Sequence, residues 1–180
     1  LSSQVMAIAQ RAGAEIMTIY ARDFAIETKA DTSPLTEADL AAHQTIVAGL
    51  EAISDLPILS EESANIPWTT RQSWDEYWLV DPLDGTKEFI KKNGEFTVNI
   101  ALIQRGQPVL GVVYAPVLER TFVGVVGAGA TEYNRDGQQT ITTADRATAT
   151  TYKVVGSRSH ASPEAQLFLD ALDKPAEMIS

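Results

Sequence analysis

From Thr97 to Tyr133 the chain is a succession of short apolar and β-branched runs broken by turn signals, and no other stretch constrains the fold as much. Thr97 to Ile103 alternates, Gln104-Arg105-Gly106-Gln107 is a turn, and Val109 to Tyr114 is the next run, closed by Pro116. Thr121 to Val126 and Ala130 to Tyr133 follow, with turns at Val126-Gly127-Ala128-Gly129 and Asn134-Arg135-Asp136-Gly137. Connections this short join antiparallel neighbours, because a parallel crossover needs a much longer link. The spacing predicts a hairpin continued into an antiparallel sheet.

Upstream lie two helical patterns. Val5, Ile8, Ala9, Ala12, Ile16, Ile19 and Tyr20 recur at three and four, the apolar stripe of a surface helix. Asp31-Thr32-Ser33-Pro34 reads as a second helix start, with Ser33 as N-cap and Pro34 in the first helical position. Leu35, Asp39, Ala42, Ile46, Leu50 and Ile53 then share one stripe, which points Asp39 toward the core side. A carboxylate there must find a cation or donors, or lose its charge. The other reading is a boundary Asp wetted by solvent, and periodicity leaves both open.

Two short apolar runs end in acid: Leu56 to Ser60 at Glu61-Glu62, and Tyr77 to Val80 at Asp81. Carboxylates at the ends of neighbouring strands suit a site at one edge of a sheet core. Trp68 to Asp75 reads as a polar connection between them, free to move. Asp81-Pro82-Leu83-Asp84-Gly85-Thr86 adds a second carboxylate, a Gly and a hydroxyl. This hard-oxygen set suits Mg²⁺ and phosphate better than a soft metal. Lys87 to Lys91 reads as a short helix whose free N–H groups point back at Gly85 and Thr86. Toward the end, Val154-Val155-Gly156 reads as a strand and Pro163 to Leu172 as a helix capped by Ser162, while Lys174 to Ser180 shows no convincing element. There is no internal repeat and no low-complexity tract.

Among 180 residues, 24 acidic against 14 basic give a formal charge of −10. That field disfavours polymeric nucleic acid or an anionic membrane as the main partner. A small phosphorylated substrate is compatible with it, since bound cations reverse the local field. With no Cys, disulfides, thiolate zinc sites and thiol nucleophiles are excluded, which suits a reducing compartment. Leu1 to Tyr20 is broken by Gln4, Gln10, Arg11 and Glu15, so it reads as neither a signal core nor a membrane span. The expectation is a cytoplasmic protein without direct membrane insertion. Weak peripheral association at the inner face of the plasma membrane is allowed. Nothing in the sequence sets an oligomeric state.

Three other features carry less. Gly127-Ala128-Gly129 lacks the third glycine and the following helix of a dinucleotide fingerprint. His43 and His160 are too far apart for a compact zinc motif, and Trp68, Trp74 and Trp78 in acidic surroundings read as packing residues.

Asp81-Pro82-Leu83-Asp84-Gly85-Thr86, Ser60-Glu61-Glu62 and Thr36-Glu37-Ala38-Asp39 resemble the motifs of the lithium-sensitive, magnesium-dependent phosphomonoesterase superfamily that includes inositol monophosphatases. Tyr77 to Pro116, above all Lys92-Asn93-Gly94-Glu95-Phe96-Thr97-Val98-Asn99, is similar to its bacterial 3'(2'),5'-bisphosphate nucleotidase branch, as are Lys29 to Pro34 and Gly156 to His160. The resemblance covers essentially the whole chain. It implies an α/β fold with α-β-α-β-α layers, residues 1–150 forming an N-terminal α+β metal and phosphate domain and 151–180 the start of a truncated C-terminal α/β domain.

The same resemblance implies two or three Mg²⁺ ions. It makes Glu61, Asp81 and Asp84 side-chain metal ligands, with the carbonyl of Leu83 as a further ligand. Asp39 with Thr86 would activate the attacking water, and the Gly85 and Thr86 amides would hold phosphate oxygens. Ser157, Arg158, Ser159 and His160 would meet the nucleotide, although a plain strand-to-helix loop is nearly as good a reading. Glu62 and Lys29 would stand behind the ligands. The implied activity is hydrolysis of adenosine 3',5'-bisphosphate, and of its sulfated relative, as in sulfur assimilation. An inositol or sugar monophosphatase is the alternative, and a non-enzymatic metal or phosphate binding module the third reading. One departure stands out: the superfamily's later Trp-Asp-x-Ala-Ala segment, which supplies a further metal-ligand Asp, is absent from these residues. The 180 residues therefore look like a C-terminally shortened piece whose own activity is left open.

Overall fold

The computed structural model describes residues 1–22, 34–63, 66–145, 147–155 and 163–179. They form two compact units, Leu1–Ile141 and Thr142–Ser180.

The first unit is built on a seven-stranded sheet of β1 (Ile58–Ser60), β2 (Glu76–Asp84), β3 (Thr97–Gln104), β4 (Gln107–Ala115), β5 (Arg120–Val125), β6 (Gly129–Asn134) and β7 (Gly137–Ile141), in that spatial order. From β2 onward every pair is antiparallel, as the short turns require; β1 alone runs parallel to its neighbour. Helices α1 (Ser2–Tyr20) and α2 (Pro34–Glu51) pack on each other and on one face of the sheet. Val5, Ile8, Ala12 and Ile16 from α1 meet Ala42, Ile46 and Leu50 from α2 over Trp78, Val80, Val98, Ile100 and Val112, all buried. Each large apolar side chain buried in this layer contributes about 1.5–3 kcal/mol. Gly13 lets α1 approach closely, since a Cβ there would lie 2.4 Å from the Tyr114 ring.

Ala42, Ile46 and Leu50 of the predicted stripe are buried, Leu35 and, just past the end of α2, Ile53 pack partly buried against them, and Asp39 is half-buried among these positions. Several elements differ from expectation. β2 does not end at Asp81 but continues to Asp84: the register shifts at a bulge and pairing resumes at Asp84↔Thr97. Pro82, with no N–H to donate, sits where the ladder is interrupted. Within the supposed polar connection, α3 (Trp68–Arg71) forms one turn, the amides of Thr70 and Arg71 bonding the Pro67 carbonyl at 3.0 and 3.1 Å. β7 follows the turn at Asn134 to Gly137; its Gln-Gln-Thr run is mostly exposed, so no hydrophobic alternation marks it.

In the second unit, β8 (Tyr152–Val155) is followed by α5 (Pro163–Asp170) and by β9 (Ala176–Ile179) in parallel pairing, Tyr152↔Ala176 through Val155↔Ile179. The last segment is thus a strand after all. Crossover connection, not periodicity, defines it, because all four of its residues are exposed.

Candidate active site

The parallel pairing of β1 and β2 sets the geometry. Ser60 is the register partner of Val80, and the Glu61 amide donates to the Val80 carbonyl at 3.1 Å. The chain therefore leaves β1 at Glu61 alongside Asp81. On the other side of β2, Asp81 faces Asn99 of β3. Beyond the bulge, Leu83 is buried and Asp84 exposed. Gly85 then turns the backbone with φ +98°, and α4 (Thr86–Ile90) begins. A Cβ on Gly85 would lie 2.7 Å from the Glu95 carbonyl oxygen, so both the dihedral and the close approach require glycine. Leu83 and Phe89 sink into the core on either side of Asp84-Gly85-Thr86, which pins the short turn between them.

The electrostatics are those of crowded carboxylates. Burial pushes the Asp39 carboxyl up to about 7, with the charges of Glu62, Asp81 and Glu61 adding to it. Asp81 is pushed up to about 6, again by burial first, then by Glu61 and Asp84. Asp81 Oδ1 is buried and has no hydrogen-bond partner among the described residues. An orphaned carboxylate oxygen among like charges calls for a proton or a cation. A set made only of hard oxygen donors fits Mg²⁺. Among the described residues no three of these side chains stand close enough to hold one metal ion together.

Two side chains support these acids without any role assigned from sequence. Asn99 Nδ2 donates to Asp84 Oδ2 (3.4 Å), and its own Oδ1 accepts from Thr97 Oγ1 (3.1 Å). His43 Nδ1 and Ser60 Oγ share a hydrogen bond of 2.9 Å, and that buried hydroxyl also accepts from the Glu62 amide at 3.4 Å. His43 lies one turn after Asp39 on α2, but its partner Ser60 is 17 residues away, so no local spacing signals the bond. Of these carboxylates, Glu61 and Asp81 line a groove of about 930 Å³; Ser60 and Asn99 share its polar part with them, and Leu79 and Val113 belong to its apolar part.

Residues 1–175 match the inositol monophosphatase family. The chain belongs to that family. It is 49% identical over 172 residues to the 3'(2'),5'-bisphosphate nucleotidase CysQ of Escherichia coli K12, covering 94% of this chain and 68% of that protein. The Salmonella typhimurium protein of the same name is 56% identical over 127 residues, 69% of this chain and 51% of that one. Among solved structures, CysQ of Bacteroides thetaiotaomicron superposes with a TM-score of 0.86 at 39% identity, over 99% of this chain and 72% of that one. An inositol monophosphatase from Anabaena gives 0.66 at 27% identity, over 86% and 53%. The layered α/β architecture expected from the sequence is that of the inositol monophosphatase family.

In this family member the structure brings Glu61, Glu62, Asp81 and Asp39 within electrostatic reach, with Asp84 reaching Asp81. Helix α4, which starts at Thr86, touches α2, which carries Asp39. No hydrogen bond joins Thr86 to Asp39 among the described residues. Lys29, Ser157, Arg158, Ser159 and His160 lie outside the described residues.

Proposed function

We propose that this protein is a Mg²⁺-dependent phosphomonoesterase that hydrolyses adenosine 3',5'-bisphosphate to AMP and phosphate, and acts on the sulfated relative of that substrate. The observation that carries the reading is that the β1–β2 pairing brings Glu61 out beside Asp81, with Asp84 within electrostatic reach of Asp81, in a chain 49% identical to a bisphosphate nucleotidase over 94% of its length. Glu61, Asp81, Asp84 and the Leu83 carbonyl would hold two or three Mg²⁺ ions. The ions would supply Lewis acidity at the phosphate and a lowered water pKa.

The remaining roles fall to the chain. Asp39, held near neutrality by burial, would take the proton of the attacking water through Thr86 Oγ1. The amides of Gly85 and Thr86, at the start of α4, would hold phosphate oxygens as charge develops. Glu62 would raise the basicity of Asp39 and stay off the metal, Lys29 would stand behind the ligands, and Ser157 to His160 would meet the nucleotide. No covalent enzyme intermediate is needed: water would attack phosphorus, its proton passing to Asp39, while the P–O bond to the ribose breaks and the departing oxygen takes a proton from solvent water. We place the protein in the cytoplasm, a placement compatible with a weak peripheral contact at the inner membrane face; no helix among the described residues is long and apolar enough to cross a membrane.

The test is phosphate release from adenosine 3',5'-bisphosphate and from inositol 1-phosphate by the purified protein with Mg²⁺. Preference for the bisphosphate is expected. Preference for inositol phosphate would move the chain to the other branch of the family, and turnover of neither would leave a metal or phosphate binding module.

A further inference from the structure

Lys92 occupies an unfavourable backbone position. It follows α4 with φ +58°; its amide bonds the Phe89 carbonyl at 3.1 Å, and the Asn93 amide bonds the Glu88 carbonyl at 3.2 Å. This is the Schellman closure, whose left-handed residue is usually glycine because a Cβ is strained there. A lysine in such a place points to a use for its side chain.

That side chain reaches the end of α1. Lys92 Nζ donates to the carbonyl oxygens of Tyr20 and, at 2.8 Å, Arg22, and lies 4.6 Å from the Tyr20 ring centroid. Carbonyls at a helix C-terminus lack partners of their own and favour a cation. The Tyr20 ring in turn packs on Phe89 and Phe96, with centroids 5.2 and 4.9 Å away. Arg22 carries the connection onward, its Nη1 meeting Glu37 Oε1 at 2.8 Å in the first turn of α2, two residues before Asp39. A continuous set of contacts thus runs from the helix that begins at Thr86 to the helix that carries Asp39.

We propose that Lys92 is a positioning residue, whose ammonium, hooked over the end of α1, holds α4 in place against the first turn of α2 and so fixes Thr86 relative to Asp39. The inference rests on the phosphatase reading for its effect on turnover, but the geometry it claims is open to a separate measurement. Exposed contacts of this kind add little stability individually. What they set is a relative position, and misplacement by a fraction of an ångström to an ångström slows a reaction without weakening substrate binding much.

The test compares Lys92→Gly, Lys92→Arg and wild type. Glycine relieves the backbone strain while deleting the hook, so the midpoint of thermal unfolding is expected not to fall. By contrast kcat for the bisphosphate drops about tenfold, and KM stays within about twofold. Lys92→Arg, which can donate to the same carbonyls, restores most of kcat. Glu37→Gln combined with Lys92→Gly is less than multiplicative, because both break the same connection. With no Cys in the chain, spin labels on cysteines placed at the exposed Gln44 and Ile90 report the α2–α4 distance directly. Its distribution broadens in Lys92→Gly and narrows again in Lys92→Arg whether or not the bisphosphate is the substrate. If wild type turns over no substrate, the functional reading fails and the distance alone judges the hook. Wild-type kcat in an active Lys92→Gly protein, or a distance distribution as narrow as wild type, overturns the proposal.

Discussion

Ser60 and Val80 are register partners in the parallel pair at the edge of the large sheet, and this pairing brings Glu61 out beside Asp81. Two carboxylates separated by about twenty residues of chain become neighbours through one backbone register. A slip of one residue would turn one of them to the opposite face. The acidic site is therefore a property of the β1–β2 pairing as much as of its side chains.

Asp84→Asn should lower turnover by about 100-fold or more, because it removes a charge that holds the cation. Glu62→Gln should do less, since Glu62 acts on Asp39 through its charge. Asn99→Ala should fall between them, at about tenfold, by releasing the Asp84 side chain it hydrogen-bonds. Steady-state kinetics across a Mg²⁺ titration orders the three, and wild-type activity in Asp84→Asn would contradict the site.

His43→Ala should cost about 1 kcal/mol, the usual net worth of a hydrogen bond to a buried hydroxyl. It should also loosen the end of β1 before Glu61. Urea unfolding measures the first effect, and a higher Mg²⁺ requirement for turnover the second.

Gly85→Ala should destabilise by about 1–3 kcal/mol, since a side chain meets both a positive φ and the Glu95 carbonyl. Thermal unfolding reads this. An unchanged midpoint would mean that the turn before α4 can relax.

The titrating carboxyls pull stability in opposite directions. Asp39 and Asp81 have folded-state values raised to about 7 and about 6, so without metal their stabilising effect is complete below 3.8 and is lost as pH rises toward 7. Asp39→Asn should flatten that decline. Buried Glu132 behaves oppositely: hydrogen bonds from Arg120, Gln139 and Asn134 hold it down to about 2, so its contribution is present above 4.5 and lost as pH falls toward 2. Glu132→Gln should remove the acid-side loss. Unfolding free energy against pH, with and without Mg²⁺, separates the two.

What the sequence revealed followed from where periodicity and burial agree. The stripes of α1 and α2, and the strands from Thr97 to Tyr133, are read from spacing because one face of each meets the core. The carboxylates at Glu61 and Asp81 stood out because each ends an apolar run. β7 and β9 were invisible for the complementary reason: their side chains are exposed, and backbone pairing alone makes them strands. Asn99 and His43 also escaped notice as supports, since their roles depend on partners 15 and 17 residues away along the chain. The continuation of β2 through Pro82 depends on a bulge that no local pattern announces.

The most direct test is Mg²⁺-dependent phosphate release from adenosine 3',5'-bisphosphate by wild type and by Asp81→Asn. The orphaned buried oxygen of Asp81 makes this residue the centre of the proposed cation site. Release that requires Mg²⁺ in wild type, and that in Asp81→Asn falls by about 100-fold or more, is the predicted result. Metal-independent turnover, or an Asp81→Asn protein as active as wild type at the same Mg²⁺ concentration, would contradict it.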